Sequence, residues 1–287
     1  METFIIYFLK ANLVLAVLYS AFWLMLKGEK FFHLNRALIL SIIFLSLVLP
    51  VAPSPESFNN NTNTFQYTDY GEVIGFANKI GASINSFNAS QNNHLELPAT
   101  QTIPAKEISL TSIIFYAYLL ISAVLLLRFV AQLLRVRKIL GDSKKRKYGD
   151  MTVYLSKAEV TPFSFFNYLV INDNRYNSSQ MAQILEHEKV HIKQWHSLDI
   201  LFAEIFHIFF WINPIVRVLK QNLRLNLEYI ADHEVINSGV DSKSYQLNIL
   251  QSCLNPITIP LTNLFTSSKI KQRIKMMNTK KHHVQDV

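Results

Sequence analysis

Three long apolar runs stand out in the first half of the sequence, over residues 4–26, 37–52 and 110–130. A helix of about 20 residues crosses the hydrocarbon core of a bilayer, and each run reaches or approaches that length. The first two runs follow each other closely, so we expect a transmembrane hairpin over residues 1–52. The third run predicts a further transmembrane helix over 110–130.

Residues 53–109 have a different character, because Asn, Ser and Thr dominate and Lys79 and Lys106 are the only basic residues. A segment with so little apolar surface to bury predicts a loosely ordered polar loop. Lys and Arg instead concentrate in the loop between the first two runs and after the third. The positive-inside rule therefore places the N-terminus and the loop 53–109 outside the cytosol, and residues after 130 inside it.

Residues 131–287 are predicted to form a cytosolic α+β domain, which makes the whole chain a mainly α membrane protein. Residues 151–155 and 165–171 are rich in Val, Tyr and Phe and predict short strands. Asn177 and Gln180 have the spacing of a capping box, which predicts that a helix starts just after them.

This helix carries the most informative motif of the chain, H-E-K-V-H at residues 187–191. Residues four apart lie on the same face of a helix, one turn from each other, so His187 and His191 can bind one zinc ion. Glu188 then has the position of a general base toward an attacking water molecule. The alternative is a surface helix with two unrelated histidines.

A fourth apolar run, residues 198–219, is predicted to be a helical hairpin and not a transmembrane span. Ionisable groups are costly in lipid, and Asn213-Pro214 interrupts the run at a point where a helix ends or kinks. Three ionisable residues lie inside the run: Asp199, Glu204 and His207.

We expect the hairpin to cover residues 180–236, with one helix from about 180 to 211 and a returning helix from about 215 to 236. The arms do not match, because His191 lies farther from the turn than Glu228 does, by about 10 Å at 1.5 Å per residue. A kink, a tilted packing angle or a longer turn must absorb this difference.

The returning helix carries two acids four residues apart, Glu228 and Asp232, in the sequence E-Y-I-A-D. Glu228 is predicted to be the third metal ligand, and Asp232 to accept a hydrogen bond from the N–H of a ligand imidazole, as we also expect of Asp199. The alternative is a plain charged helix face that pairs with Arg224 or a nearby Lys. Three protein ligands and one open position predict a catalytic site with one Zn²⁺ per chain.

A group that stabilises the developing oxyanion is also expected in such a site. Tyr229, His196 and His233 are the candidates, but for each of them an ordinary residue of the helix surface or of the core is the favoured interpretation. No other feature of the sequence selects among them.

The composition limits the class of protein. Half of the 287 residues are hydrophobic, 17% are charged and seven are Gly, which is typical of a membrane protein. The single cysteine, Cys253, excludes an intramolecular disulfide framework and a thiolate zinc cluster. The net charge of +8 fits the topology, and we expect membrane lipid as a partner and no direct nucleic-acid binding. For the basic run 144–147 the alternative interpretation is a solvated linker, which is compatible with this topology.

In combination these elements resemble the membrane zinc metallopeptidases of the BlaR/MecR type, the antirepressor sensors of β-lactam resistance. The resemblance covers nearly the whole chain and implies three N-terminal transmembrane helices followed by a zincin-like (gluzincin) domain. The matching stretches are residues 161–166, 185–191, 211–214, 228–232 and 270–274.

The resemblance implies His187, His191 and Glu228 as zinc ligands and Glu188 as the base. It also implies that the strand 165–171 lies along the substrate cleft, although an ordinary core strand is the alternative. The strand residues expected there are Phe165, Phe166, Asn167, Tyr168 and Leu169.

A regulatory endopeptidase of the inner (cytoplasmic) membrane, with its site on the cytosolic side, is therefore the favoured interpretation. Its expected partner is a protein substrate, of which a transcriptional repressor is one example, and a homodimer is allowed. The alternatives are a signalling scaffold with structural or absent zinc and a peptidase of the CAAX-prenyl-protein type, which the polar outer loop fits less well.

The sequence departs from the resembled family in one respect. Family members commonly continue into a further transmembrane helix and an external sensor domain. Here the basic segment 269–283 is followed by no fourth span, and the sequence has no S-x-x-K and K-T-G signature of penicillin-binding proteins. We expect a short member of the family, a chain whose sensor is a separate protein, or a fragment.

Overall fold

The structure is a computed structural model, and the part of the chain that it describes is residues 2–26, 30–52, 110–148, 151–157, 161–172, 175–254 and 263–279. The predicted polar loop 53–109 lies outside the described residues. The chain divides into two compact units, Met1–Val51 with Tyr116–Val287, and Ala52–Phe115. Of the second unit, Ala52 and the helical residues 110–115 are described.

The three predicted transmembrane runs are helices. α1 is Glu2–Leu26, α2 is Phe32–Val48 with a 3₁₀ turn at Leu49–Val51, and α3 is Leu110–Asp142. All three are long and apolar enough to cross a membrane. α3 continues 12 residues beyond the predicted end at 130, because Leu, Arg and Lys in this stretch are good helix formers.

A four-stranded sheet follows, formed by β1 (Lys144–Tyr148), β2 (Met151–Leu155), β3 (Phe163–Phe165) and β4 (Tyr168–Ile171). The strand order is β1-β2-β4-β3, and β2 with β4 is the parallel pair. The interpretation of 144–147 as a linker is wrong, since these residues pair with β2 as an edge strand. All side chains of β1 are exposed, so the sequence carries no alternation of buried and exposed positions that would predict a strand.

The single strand predicted over residues 165–171 is in fact a hairpin. Phe165 pairs with Tyr168 across a tight turn, and Phe166 in that turn has φ 50, in the left-handed region. β4 consequently lies between β2 and β3 inside the sheet, and β3 forms the edge.

Five helices complete the described fold: α4 (Ser178–Lys193), α5 (His196–Phe209), α6 (Pro214–Asn237), α7 (Ser242–Leu254) and α8 (Asn263–Asn278). The predicted capping box is confirmed, with the Asn177 side chain accepting from the Gln180 N–H and the Gln180 side chain accepting from the Asn177 N–H. α6 begins with Asn213 as its cap and Pro214 in its first turn.

The single arm predicted from about 180 to 211 is two helices. The chain breaks at Gln194 and Trp195, where Trp195 takes a left-handed conformation with φ 57. Of the three features expected to absorb the unequal arm lengths, the structure shows the kink. It is a sharp break, after which α5 takes a different direction from the motif helix α4.

The hairpin of α5 and α6 shares one hydrophobic core with the membrane helices α1 and α2. This core is distinct from a smaller one between the sheet and α4, which contains Val153, Leu169, Ile171 and Leu185. Fully buried members of the large core are Ala11, Leu15, Ile39, Ile43, Ala203, Val216, Leu219, Leu223, Leu227 and Ile230.

Three asparagines of the α5–α6 hairpin fix its register against α1 and α2. Asn213 donates to the Asn12 side chain at 2.7 Å, and Asn222 donates to the Tyr19 hydroxyl at 2.8 Å. Asn226, in turn, donates to the carbonyl oxygen of Phe32 at 2.8 Å. α6 therefore runs along α1 from the middle of that helix to the start of α2.

Candidate metal centre

The structure brings together the three predicted metal ligands from two helices. His187 Nε2 lies 3.2 Å from His191 Nε2 and 3.4 Å from a Glu228 carboxylate oxygen, and His191 Nε2 lies 4.0 Å from the other oxygen. One ligand atom from each residue lies within 4.8 Å of the other two. A histidine pair from α4 and an acid from α6 thus converge on one point.

The amphipathic character of α4 explains why the histidines face inward. Leu185 packs on the sheet, whereas Glu186 and Lys189 form an ion pair of 3.0 Å on the outer side. Glu188 directly follows the first histidine and is 9% exposed. The predicted base is therefore next to the ligand cluster and screened from most solvent.

His187 is held by a hydroxyl that the sequence analysis did not identify. The Tyr245 hydroxyl of α7 donates to Asp232 at 2.8 Å and lies 2.8 Å from His187 Nδ1. Asp232 Oδ1 itself is 3.5 Å from the same nitrogen. Because the hydroxyl proton goes to Asp232, the hydroxyl oxygen accepts the Nδ1–H of His187. The Nε2 atom faces the ligand cluster.

Arg273 of α8 contacts both acids of the centre. Its Nε and Nη2 atoms lie 2.8 and 2.5 Å from the two carboxylate oxygens of Asp232, and Nη1 lies 2.9 Å from Glu228. Burial alone would raise the pKa of Glu228, but the Arg273 guanidinium and the His187 imidazole outweigh it and hold that pKa well below its usual range. Glu228 is therefore a carboxylate at neutral pH.

His191 has a separate set of neighbours. Its Nδ1 atom lies 2.7 Å from Nδ1 of His196, and Nε2 of His196 lies 3.2 Å from Oε1 of Gln194. Burial lowers the pKa of His196 to about 3, and burial followed by the nearby His187 lowers the pKa of His191. Both rings are consequently neutral near pH 7.

Asp199, which was expected beside a ligand histidine, instead pairs with Arg36 of α2, with 2.7 Å between Nε and a carboxylate oxygen.

Of the three oxyanion candidates, His196 contacts the predicted metal ligand His191. The other two pack on α2, since the rings of Tyr229 and His233 each lie 5.7 Å from the ring of Phe32.

The five residues predicted to line the substrate cleft have different environments. Leu169 is fully buried in the core between the sheet and α4. Phe166 and Asn167 form the turn, and the Phe166 N–H donates to Ser197 Oγ at 2.9 Å.

The ring centroids of Phe165 and Phe166 lie 4.8 Å apart, and the ring of Tyr168 contacts the ring of Tyr154. The edge strand that contacts α4 is β3.

Tyr245 and Arg273 lacked a usable signal in the sequence. Tyr245 lies 58 residues from its partner His187, and Arg273 lies 41 residues from Asp232. Neither belongs to a motif with a fixed spacing to H-E-x-x-H. The family resemblance covers residues 270–274, but it assigns no role to Arg273.

A known protein family covers most of this chain. The family model described as BlaR1 peptidase M56 matches residues 7–277 of the chain. The regulatory protein BlaR1 of Staphylococcus aureus is 26% identical over an alignment of 144 residues, and the alignment covers 45% of this chain and 24% of that relative. The aligned part thus spans about a quarter of the length of the relative.

Proposed function

This chain belongs to the BlaR1 peptidase M56 family, and we propose that it is a zinc-dependent membrane endopeptidase with a regulatory role. Family membership together with three apolar helices indicates a membrane metallopeptidase of BlaR1 type. The identity of the metal, the roles of individual residues, the side of the membrane and the substrate belong to the proposal.

The convergence of His187, His191 and Glu228 is the observation that carries the proposal. Two imidazoles and one carboxylate form a donor set of a catalytic zinc site, which uses three protein ligands and leaves one position open. These residues fit one Zn²⁺ per chain. A bound zinc ion would supply a Lewis acid that polarises the scissile carbonyl and increases the acidity of water.

The chain itself supplies the proton transfers and the orientation of the ligands. Glu188 accepts the proton of the attacking water and delivers it to the nitrogen of the leaving amine. Tyr245 and Asp232 fix the His187 tautomer, with the proton on Nδ1. Arg273 keeps the Glu228 carboxylate ionised and in place.

We further propose that β3 is the strand along which the substrate lies. It is an edge of the sheet, and it contacts the motif helix α4. An extended peptide can add to an exposed sheet edge through main-chain hydrogen bonds. β4 cannot serve in this way, because both of its edges are paired.

The regulatory role and the cytosolic location rest on other observations. The relative from Staphylococcus aureus is named a regulatory protein. The basic residues that follow the third apolar run favour a cytosolic position for the site, in the inner membrane. A protein substrate such as a transcriptional repressor fits this location, and a homodimer is compatible with it.

Zinc content and cleavage products test the proposal together. In purified full-length protein we expect about one zinc per chain, which His187→Ala removes and Glu188→Gln retains. In cells, peptides with new N-termini should occur with the wild type and be absent with Glu188→Gln. Glu186→Gln is the matched control, since Glu186 lies on the same helix and pairs with Lys189 on the outer side.

Two results would contradict the proposal. New N-termini that persist in Glu188→Gln would exclude this glutamate as the base. Substoichiometric zinc that does not respond to His187→Ala would favour the non-proteolytic scaffold instead.

A further inference from the structure

The two histidines of the metal centre are held by different parts of the chain. His187 contacts Tyr245 and Asp232, which lie on α7 and α6. His191 contacts His196, the first residue of α5. From His196 a continuous series of polar contacts leads to Arg36, on the membrane helix α2.

Hydrogen-bond chemistry gives this series a direction. If His191 uses Nε2 as a metal ligand, its Nδ1 carries the proton and donates to Nδ1 of His196, 2.7 Å away. The proton of His196 must then lie on its Nε2, which donates to Oε1 of Gln194 at 3.2 Å. Every ring nitrogen in the series therefore has a defined role, and the His191 ring has one favoured orientation.

Arg36 completes the series from the membrane side. Its Nη1 donates to the same Oε1 of Gln194 at 3.3 Å, and Nη2 donates to the Gln194 carbonyl oxygen at 2.7 Å. Its Nε lies 2.7 Å from Asp199, at the start of α5. Arg36 thus holds the break between α4 and α5, where Trp195 has a left-handed backbone.

We propose that His196, Gln194 and Arg36 are positioning residues that orient the metal ligand His191 and tie it to the membrane helix α2. The inference rests on the proposed function, since it assigns His191 to a metal. Partners that orient a ligand histidine typically change metal affinity by about 10- to 100-fold when they are removed. A shift of α2 would therefore reach the site through His191, in addition to the packing of α2 against α6.

Zinc affinity of the full-length protein in lipid nanodiscs, measured by competition with a chelator, provides the first test. His196→Phe keeps a ring but removes the acceptor, and we expect the Kd for zinc to rise about 10- to 100-fold. His196→Gln offers a carbonyl oxygen as acceptor and should recover most of that loss. His33→Phe is the matched control, because His33 is an exposed histidine of α2.

The second test uses the other end of the series. Arg36→Gln combined with Asp199→Asn removes the ion pair without leaving a buried charge, and should weaken zinc binding in the same direction. It should also alter the visible absorption spectrum of the Co²⁺-loaded protein, which reports ligand geometry. Arg217→Gln, at an exposed arginine of α6, should change neither measurement.

The outcomes separate this inference from the proposed function. A wild-type protein without stoichiometric zinc, or a His187→Ala variant with unchanged zinc affinity, contradicts the proposed function. If the wild type binds zinc normally and the zinc Kd of His196→Phe lies within twofold of the wild-type Kd, the positioning role alone is overturned. Equal losses in His196→Phe and His196→Gln also overturn it, since they indicate general loss of packing. The Arg36 and Asp199 double variant decides the matter if His196→Phe does not fold.

Discussion

Arg273 Nη1 lies 2.9 Å from a carboxylate oxygen of Glu228, so the acid of the candidate metal centre is also one half of an ion pair. The same guanidinium binds Asp232 through two nitrogens. A bidentate contact of this kind fixes direction as well as charge. One side chain from the C-terminal helix α8 therefore orients both acids that the sequence places on α6.

Replacing Arg273 by Gln should destabilise the protein and weaken its metal site. Asp232 is almost fully buried, and removing one partner of a buried ion pair costs about 3–5 kcal/mol. We expect a clear fall in the free energy of unfolding and a higher Kd for zinc, measured by denaturant titration in detergent and by chelator competition. Lys271→Gln, at an exposed cation on the same helix, is the control.

The Arg273→Gln effect should shrink when Asp232→Asn is present, because the buried carboxylate is then no longer left without its partner. Independent, additive losses in the double variant would show that the two side chains do not act through the contact described here.

Tyr245→Phe removes only the hydroxyl between His187 and Asp232. We expect zinc affinity to fall by about 10-fold, the low end for such partners, because Asp232 lies close enough to His187 to take over part of the contact. The loss of stability should be about 1 kcal/mol. Tyr154→Phe is a suitable control, as its ring contact with Tyr168 needs no hydroxyl. Unchanged zinc affinity in Tyr245→Phe would exclude the bridging role.

The local parts of this fold could be predicted from the sequence, because their signals are periodic. Apolar runs predict α1, α2 and α3, and the four-residue spacing of His187 with His191 and of Glu228 with Asp232 places each pair on one helix face. The Asn177 capping box predicts the start of α4.

The remaining features depend on contacts between distant residues or on rare backbone conformations. Trp195 breaks the predicted arm in a left-handed conformation that favours Gly, and nothing in its neighbourhood marks it. Arg36 lies 158 residues from Gln194. Tertiary contacts of this kind, like those of Tyr245 and Arg273, have no fixed spacing that a sequence pattern could reveal.

Leu169→Ala tests whether this position belongs to the core or to the substrate cleft. Leu169 is fully buried, and truncating such a leucine costs about 2–5 kcal/mol. We expect a large loss in the free energy of unfolding, with the set of cleaved sites unchanged in the protein that remains folded. Tyr168→Ala, at a partly exposed neighbour, should cost much less. A stable Leu169→Ala variant with altered cleavage sites would place this side chain in the cleft.

The turn between α5 and α6 should lie within the bilayer. Asn213 contacts Asn12, which is 14 residues before the end of α1 and therefore about 20 Å along that helix from its C-terminal end. This depth is well inside a hydrocarbon core about 30 Å thick. The hairpin would then enter the membrane beside α1 and α2 without crossing it, and return to place Glu228 at the metal centre.

Cysteine labelling in the Cys253→Ser background, which has no other cysteine, measures this depth. Ile212 at the turn is 54% exposed and Leu247 on α7 is 57% exposed, so protein packing screens the two positions equally. In proteoliposomes we expect a membrane-impermeant maleimide to label Leu247→Cys rapidly and Ile212→Cys hardly at all, with both labelled after denaturation. Because exposure is matched, a difference in rate must come from the lipid, and equal rates would place the turn in water.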